Sequence, residues 1–300
     1  MCILFLKFVD PAGNVPGAPG AVTGAPGGRY KLVLAANRDE YYQRPAKAAH
    51  FWGENPRVLS GVDMEPGREG GTWLGMAETG RLSALTNILQ PSPDPNAKGR
   101  GSLITDFLRG DQTPLAYLED LAKEGHLFNG FNLVTMDLSK DTSLAYYYSN
   151  VSQDGPKVLS PGQYVISNSL LHTPFQKASN GKKLFREILR EKEEGNRDAF
   201  IESLLQLLDN NVQFPDDPQV KLQGTHLPET VRHGYTAIRV RTPRAANYGT
   251  RTNTVILVDQ DNHVTFLEKT MKQPIDIDNP EWEVNKFELD IESRLTKSRI

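Results

Sequence analysis

The 300-residue sequence has one cysteine, no long apolar run and no marked excess of charge of one sign. A single cysteine cannot form an internal disulfide, so we expect a reducing compartment. No segment reaches the roughly 18 consecutive apolar residues that a membrane span needs. A formal net charge of -3 without a clustered basic patch argues against a nucleic-acid scaffold. We therefore expect a cytoplasmic protein with no transmembrane segment and no nucleic-acid partner.

The N-terminal segment 1–9 is apolar but does not match a signal peptide, because Lys7 interrupts it, Asp10 closes it and it lacks a basic region before it. It predicts a strand that is buried on both faces. Segment 11–28 consists largely of Gly, Pro and Ala and predicts a flexible loop. Because the strand-like segment 29–36 follows at once, we interpret the loop as the tip of a hairpin.

Patterns of apolar residues predict strands at both ends of the chain, including one at 235–240, and helices within 100–124 and 174–208. The content of 38% hydrophobic and 24% charged residues is ordinary for a globular protein. These patterns predict a sheet-rich α+β fold. We expect a single domain over 1–293 and a frayed basic tail at 294–300.

Cys2 becomes the first residue of the mature protein if Met1 is removed. An N-terminal cysteine carries a nucleophilic sulfur and an α-amine whose pKa lies near roughly 8, so it brings its own general base. While Met1 is present, the nitrogen of Cys2 is a peptide amide without basicity. The alternative is that Cys2 is an ordinary buried residue at the start of a strand.

Polar residues from Asn37 to Glu40 follow the second predicted strand. In an antiparallel hairpin the end of this strand lies beside the start of the first, next to Cys2. Asp39 could then accept a hydrogen bond from the Cys2 amine while Arg38 offsets its charge. The alternative is a solvated turn.

Two later residues could also serve such a site. Asn87 closes a predicted strand, and its amide can either cap a turn or donate to the oxyanion of a tetrahedral intermediate. Arg251 is either a solvated turn residue or a cation that polarises the surroundings of Cys2.

A series of short motifs runs through residues 1–290. In chain order they are Met1-Cys2-Ile3-Leu4, Ala36-Asn37-Arg38-Asp39-Glu40 followed by Arg44-Pro45, Gly70-Gly71-Thr72-Trp73-Leu74-Gly75, Leu85-Thr86-Asn87, Gly130-Phe131-Asn132-Leu133, Ser167-Asn168 and Gly249-Thr250-Arg251-Thr252-Asn253-Thr254. Together they resemble the transport and Golgi organisation protein 2 family, also called the NRDE family. This resemblance implies a role in lipid and acyl-CoA homeostasis, haem handling and Golgi and endoplasmic reticulum organisation. It also implies placement in cytoplasm, mitochondria and Golgi.

More distantly, the chain resembles N-terminal-nucleophile hydrolases of the penicillin V acylase and acid ceramidase group. This implies a four-layer αββα sandwich and cleavage of amide bonds. The implied catalytic roles are Cys2 as nucleophile, Asp39 orienting its amine, Asn87 and Asn168 serving the oxyanion and substrate, and Arg251 tuning the thiol.

The remaining motif residues are assigned to ligand binding: Asn37, Arg38, Glu40 and Trp73. One departure from the hydrolase pattern is Ala36, because an arginine typically stands three positions before the aspartate. Either Arg38 replaces that arginine from another direction, or this part of the site is not catalytic.

Two functions therefore stay open. In the first, Cys2 attacks the carbonyl of a small acylated substrate, with no metal and no required cofactor. In the second, the same cleft binds and transfers haem, acyl-CoA or another lipid without chemistry. A structural trafficking factor without a ligand is a third alternative.

Overall fold

The computed structural model of the chain describes residues 2–9, 28–53, 56–139 and 144–292. The predicted flexible loop at 11–28 lies outside these residues apart from Gly28, and the predicted tail at 294–300 lies wholly outside them. Both strands that flank the loop are described, so the pairing of the N-terminal hairpin is defined.

The strands are β1 (Cys2–Phe8), β2 (Tyr30–Tyr41), β3 (Ala46–Trp52), β4 (Val58–Asp63), β5 (Leu74–Ala77), β6 (Arg81–Asn87), β7 (Phe131–Asp137), β8 (Leu144–Ser149), β9 (Lys157–Leu159), β10 (Gly162–Ile166), β11 (Tyr248–Asp259), β12 (His263–Met271) and β13 (Trp282–Asp290). The helices are α1 (Ser102–Arg109), α2 (Pro114–Glu124), α3 (Gln176–Lys192), α4 (Arg197–Leu208), α5 (Pro218–Gln223) and α6 (Glu229–Tyr235).

The strands form two antiparallel sheets. The six-stranded sheet has the order β10-β1-β2-β11-β12-β13, and the seven-stranded sheet runs in sequence from β3 to β9. The N-terminal hairpin supplies the centre of the six-stranded sheet, where Cys2 pairs with Arg38 and Phe8 with Leu32. The predicted antiparallel register of the hairpin is confirmed.

Three apolar cores separate four layers. The first lies between the two sheets and contains Leu34 and Leu82. A second lies between the six-stranded sheet and helices α3 and α4. A third joins the seven-stranded sheet to α1 and α2. The predicted α+β class and four-layer αββα sandwich are confirmed.

The alternation of β2 decides which motif residues meet. Leu34 packs in the core between the sheets, and Ala35 packs in the core beneath the helices. Because successive side chains of a strand point to opposite faces, Arg38 lies on the sheet-facing side. Asn37 and Asp39 lie on the helix-facing side.

Helix starts follow local signals. Thr113 precedes α2 and accepts a hydrogen bond from the backbone N–H of Ala116, and Pro114 occupies the first helical position. Asn196 caps α4 in the same way, accepting from the N–H of Ala199.

Among the described helices, none is long and apolar enough to cross a membrane.

The strand predicted at 235–240 is wrong. Tyr235 ends α6, and the residues after it join neither sheet. Their backbone groups bond individually: the N–H of Arg239 donates to the Asn210 carbonyl at 2.8 Å, and that of Val240 donates to the Thr250 hydroxyl at 2.8 Å. The apolar side chains are buried, so the pattern predicted burial correctly and the backbone conformation incorrectly.

Candidate functional site

Cys2 lines a cavity with a volume of about 910 Å³. The cavity, called here the cysteine cavity, is also lined by Arg38, Glu40, Trp73, Asn87 and Arg100. Cys2 lies on the same face of β1 as Leu4, which packs between the sheets, and it is partly exposed. The only thiol of the chain is therefore accessible from a space large enough for a small organic ligand.

The thiol is not activated by its surroundings alone. Burial raises the pKa of Cys2, and the negative charge of Asp39 acts in the same direction. A hydrogen bond from the backbone N–H of Asp39 and the positive charge of Arg38 act in the opposite direction. Because the net effect favours the neutral thiol, attack by the sulfur requires a base.

Asp39 is buried on the helix-facing side. Its Oδ1 accepts a hydrogen bond from the Thr250 hydroxyl at 2.5 Å, and its carbonyl accepts one from the Tyr248 hydroxyl at 2.7 Å. Burial raises the pKa of Asp39, whereas the Lys177 ammonium and the Thr250 hydrogen bond lower it. The carboxyl is therefore held in one position beside the start of β1.

Arg38 stacks on Trp73, with the guanidinium carbon 3.8 Å from the ring centroid. The stack forms a wall between the cysteine cavity and a second cavity of about 280 Å³, since both residues line both spaces. Gly61 leaves room for the indole, because a Cβ there would lie 2.5 Å from a Trp73 ring carbon. Within the described residues no carboxylate forms an ion pair with Arg38.

Glu40 lies at the rim of the cysteine cavity beside an ion-paired arginine. Arg44 binds Asp63 through two hydrogen bonds, of 2.6 and 3.1 Å, and its Nε lies 3.8 Å from Glu40. The paired arginine and aspartate close one side of the cavity.

The two predicted asparagines take different places. Asn87 lines the cysteine cavity at the end of β6. Asn168 is fully buried, does not line that cavity, and donates from Nδ2 to the Asn87 carbonyl at 2.8 Å. Asn168 therefore holds the backbone of Asn87, and only Asn87 can reach a ligand in the cavity.

Asn37 and Arg251 are not brought to the cysteine cavity. Asn37 donates to the carbonyls of Leu208 and Ile238 at 2.9 and 3.0 Å, which ties helix α4 to the sheet. Arg251 donates to the carbonyls of Tyr41 and Arg44 at 2.9 and 2.6 Å and lines the second cavity. Burial, followed by the nearby charge of Arg38, lowers the pKa of Arg251 to about 10.

This placement corrects three sequence-based assignments. Asn168, assigned to the oxyanion and substrate, is fully buried outside the cysteine cavity, and the other two concern Asn37 and Arg251. Asn37, assigned to ligand binding, is 1% exposed and uses its amide within the core, because odd-numbered positions of β2 face the helices. Arg251, assigned to tuning the thiol, fixes the turn after β2, because a bulge between Thr250 and Thr252 changes the register of β11 there.

Sequence reasoning missed two basic residues. Lys177 in the first turn of α3 is fully buried, and its Nζ has no hydrogen-bond partner within the described residues. Arg100 lines the cysteine cavity and donates to the Gly130 carbonyl at 2.8 Å. A lysine in an amphipathic helix normally lies at the surface, and Arg100 follows an irregular proline-rich segment, so neither gave a signal.

Around Asp39 the cation with the largest effect on its pKa is Lys177, and Arg38 instead faces the cavity. Ala36 packs against the core between the sheets and leaves no charge there. The described residues contain no cluster of three or more His, Cys, Asp or Glu that could hold a metal ion.

The fold and the site define this chain as an αββα sandwich protein with its cysteine, Cys2, at a ligand-sized cavity. The model of the family described as Transport and Golgi organisation 2 matches residues 1–273. The Transport and Golgi organization protein 2 homolog of Homo sapiens is 47% identical over 294 residues, covering 98% of this chain and all of the relative. The Drosophila melanogaster protein of that name is 35% identical, with 82% and 88% coverage. The chain belongs to the Transport and Golgi organisation 2 family.

The solved structures that the chain matches are more distant in sequence than these relatives. A Caenorhabditis elegans N-acylethanolamine-hydrolyzing acid amidase ortholog is 11% identical at a TM-score of 0.46, covering 86% of this chain and 92% of that one. A C2A mutant of the conjugated bile acid hydrolase from Clostridium perfringens is 11% identical at a TM-score of 0.47, with 96% and 97% coverage.

Proposed function

We propose that this protein is an intracellular cysteine N-terminal-nucleophile hydrolase that cleaves the amide bond of a small acylated ligand. The observation that carries the proposal is the position of Cys2. The only thiol of the chain lines a cavity of about 910 Å³ and lies beside the buried carboxyl of Asp39. The proposed cellular role is in lipid and acyl-CoA homeostasis and in Golgi and endoplasmic reticulum organisation.

In the proposed reaction, removal of Met1 frees the α-amine of Cys2, which takes the thiol proton. The sulfur then attacks the acyl carbon, and the resulting oxyanion accepts a hydrogen bond from the Asn87 amide. The C–N bond breaks as the α-ammonium returns its proton to the leaving amine. Water, deprotonated by the α-amine, attacks the thioester and releases the acid and the thiol.

The surroundings of the thiol support a base-assisted mechanism. Since burial raises the pKa of Cys2, little thiolate exists at neutral pH before a base acts. Asp39 is held by Thr250 at 2.5 Å and can accept a hydrogen bond from the α-amine, which orients the amine toward the sulfur. Asp39 is thus a positioning residue in this scheme.

The lining of the cavity supports an acylated ligand with a polar end. Arg38 and Arg100 present guanidinium groups to the cavity, and within the described residues neither forms an ion pair. Trp73 also lines the cysteine cavity and contributes apolar surface to its wall. Such a lining suits a polar or anionic head group next to the acyl carbonyl.

The intact mass of protein purified from cells tests the proposal directly. We expect a mass that lacks one methionine, and labelling of Cys2 by an electrophilic amide or β-lactone probe. Retention of Met1 would exclude the mechanism, because the Cys2 nitrogen would then have no basicity.

A second candidate is binding and transfer of acyl-CoA, another lipid or haem without turnover, and the size of the cavity favours it. A Cys2→Ala protein should then bind its ligand as the wild type does and still complement a deficient cell. Loss of complementation with retained binding would refute this alternative. A purely structural factor would show no ligand dependence of its melting temperature.

The site fits haem less well than it fits acyl-CoA or another lipid. Among the described residues that line the cysteine cavity, Cys2 and Tyr41 are the side chains that commonly ligate haem iron. Burial raises the pKa of Cys2 and disfavours the thiolate that iron would need. For either function we propose a cytoplasmic protein with association to mitochondria and Golgi.

A further inference from the structure

Lys177 is the buried lysine of helix α3. It lies in the first turn of α3, which packs across β1 and β10, and its side chain is completely inaccessible. Its Nζ makes no hydrogen bond within the described residues. A buried ammonium is costly to maintain unless opposite charge offsets it, so the groups around it decide its role.

Two carboxylates and the thiol act on this ammonium. The charges of Asp39, Cys2 and Asp217 favour its protonated form, in that order, against the effect of burial, which lowers the pKa of Lys177. Asp217 is already occupied, since its Oδ1 accepts the N–H groups of Gln219 and Val220 at 2.9 and 3.1 Å. Asp39 is therefore the principal counter-charge.

The other titratable groups near Asp39 are the carboxyl of Glu40, whose charge raises the pKa of Asp39, and three phenols. Burial raises the pKa of Tyr235, Tyr248 and Tyr42, so all three are neutral at neutral pH. The remaining elements against α3 present apolar side chains: Phe5 from β1, Val165 from β10 and Leu204 from α4. No other cation takes the place of Lys177 in the described surroundings of Asp39 on this face.

We propose that Lys177 is a positioning residue of the N-terminal site, whose ammonium offsets the charge of Asp39 and keeps the α-amine of Cys2 unprotonated. This inference rests on the proposed function, because it concerns the amine that Met1 removal creates.

The direction of the effect follows from the charges. An aspartate beside an amine favours the protonated amine, which cannot accept the thiol proton. A lysine on the other side of the aspartate opposes this effect and lowers the pKa of the amine. The same cation stabilises the thiolate. Without Lys177, both groups should lose their protons only at higher pH.

The single cysteine makes the test specific, because iodoacetamide alkylation reports on Cys2 alone. We expect the midpoint of the alkylation rate against pH to rise by about one unit in the mature full-length Lys177→Met protein. The rate at neutral pH should fall about tenfold.

Lys31 provides a matched control. It is also buried on β2, but its Nζ donates to the Leu138 carbonyl at 3.0 Å at the opposite end of the strand. The Lys31→Met protein removes a buried charge of the same kind, and its alkylation midpoint should equal that of the wild type. A midpoint shifted equally in both variants, or unshifted in Lys177→Met, overturns the role of Lys177.

A double variant covers the case in which Lys177→Met does not fold. Asp39→Asn combined with Lys177→Met removes both charges, so its melting temperature should exceed that of Lys177→Met. A double variant no more stable than the single one contradicts the pairing. Intact mass separates the two proposals: retained Met1 defeats the hydrolase, whereas an unshifted midpoint in protein that lacks Met1 defeats only the role of Lys177.

Discussion

Charged side chains are buried at both ends of the N-terminal hairpin, but their interaction partners differ. At the loop end, Lys7 binds Glu193 at 2.6 Å and the Tyr30 carbonyl at 2.7 Å. At the site end, Arg38 rests on an indole ring, and Lys177 has no hydrogen-bond partner within the described residues. Charges at the loop end therefore contribute to stability. The charged groups at the site end surround an accessible thiol, which is the arrangement expected at a functional site.

The comparison predicts that the largest functional loss comes from Cys2→Ala. Removal of the sulfur should lower hydrolysis by on the order of 10³-fold or more and abolish probe labelling. The melting temperature should stay near that of the wild type, because the side chain is small and partly exposed. Probe labelling followed by intact mass measures the first effect, and thermal unfolding measures the second. Labelling that persists in the variant would place the reactive group elsewhere.

The opposite result is expected at the loop end. Lys7→Met leaves Glu193 buried without its cation and should lower the free energy of unfolding by about 3 kcal/mol. The alkylation rate of Cys2 should not change. Urea unfolding provides the measurement, and Lys123→Met is the control, because that lysine pairs with Asp120 on the surface and its loss should have no measurable effect. Equal destabilisation in both variants would break the contrast between buried and exposed pairs.

A smaller effect is expected at the wall of the cysteine cavity. In Gly61→Ala the new methyl group overlaps Trp73 and must displace the indole beneath Arg38. We expect a loss of about 2 kcal/mol in stability and weaker ligand binding. Gly155→Ala is the matched control, since nothing lies within 4 Å of the added carbon. Calorimetric unfolding of both variants distinguishes overlap with Trp73 from a general effect of losing glycine.

A pH dependence of stability is expected at the site end. Burial raises the pKa of Glu268 to about 7, although its carboxylate accepts the Ala49 N–H at 2.6 Å. Because the unfolded carboxyl ionises near pH 4.5, stability from this group is present below that pH and declines as pH rises toward 7. Glu268→Gln should remove about 2 kcal/mol of the stability difference between pH 5 and pH 7. Urea unfolding at both pH values shows this, and an unchanged slope would contradict it.

The local sequence was sufficient to predict the hairpin. The apolar segment 1–9, the glycine-rich loop and the strand-like segment 29–36 predicted an antiparallel hairpin, and in that hairpin Cys2 lies opposite Arg38. The helices that begin near Ser102, Pro114 and Arg197 were also predicted, because their apolar residues recur at helical spacing. Such features depend on neighbours in the chain. The strand prediction for 235–240 was wrong because its backbone groups bond to Asn210 and Thr250, which lie elsewhere in the sequence.

The sequence by itself determined that one thiol stands at the head of a central strand, with an aspartate beside it across an antiparallel pair. Only the tertiary structure decided which other groups meet it. Because α3 packs onto the six-stranded sheet, Lys177 interacts electrostatically with Asp39. A bulge in β11 places the Arg251 side chain at the turn after β2. The physical reason is that strand alternation and pairing follow from short-range pattern. The partners of a buried charge follow instead from how separate layers pack.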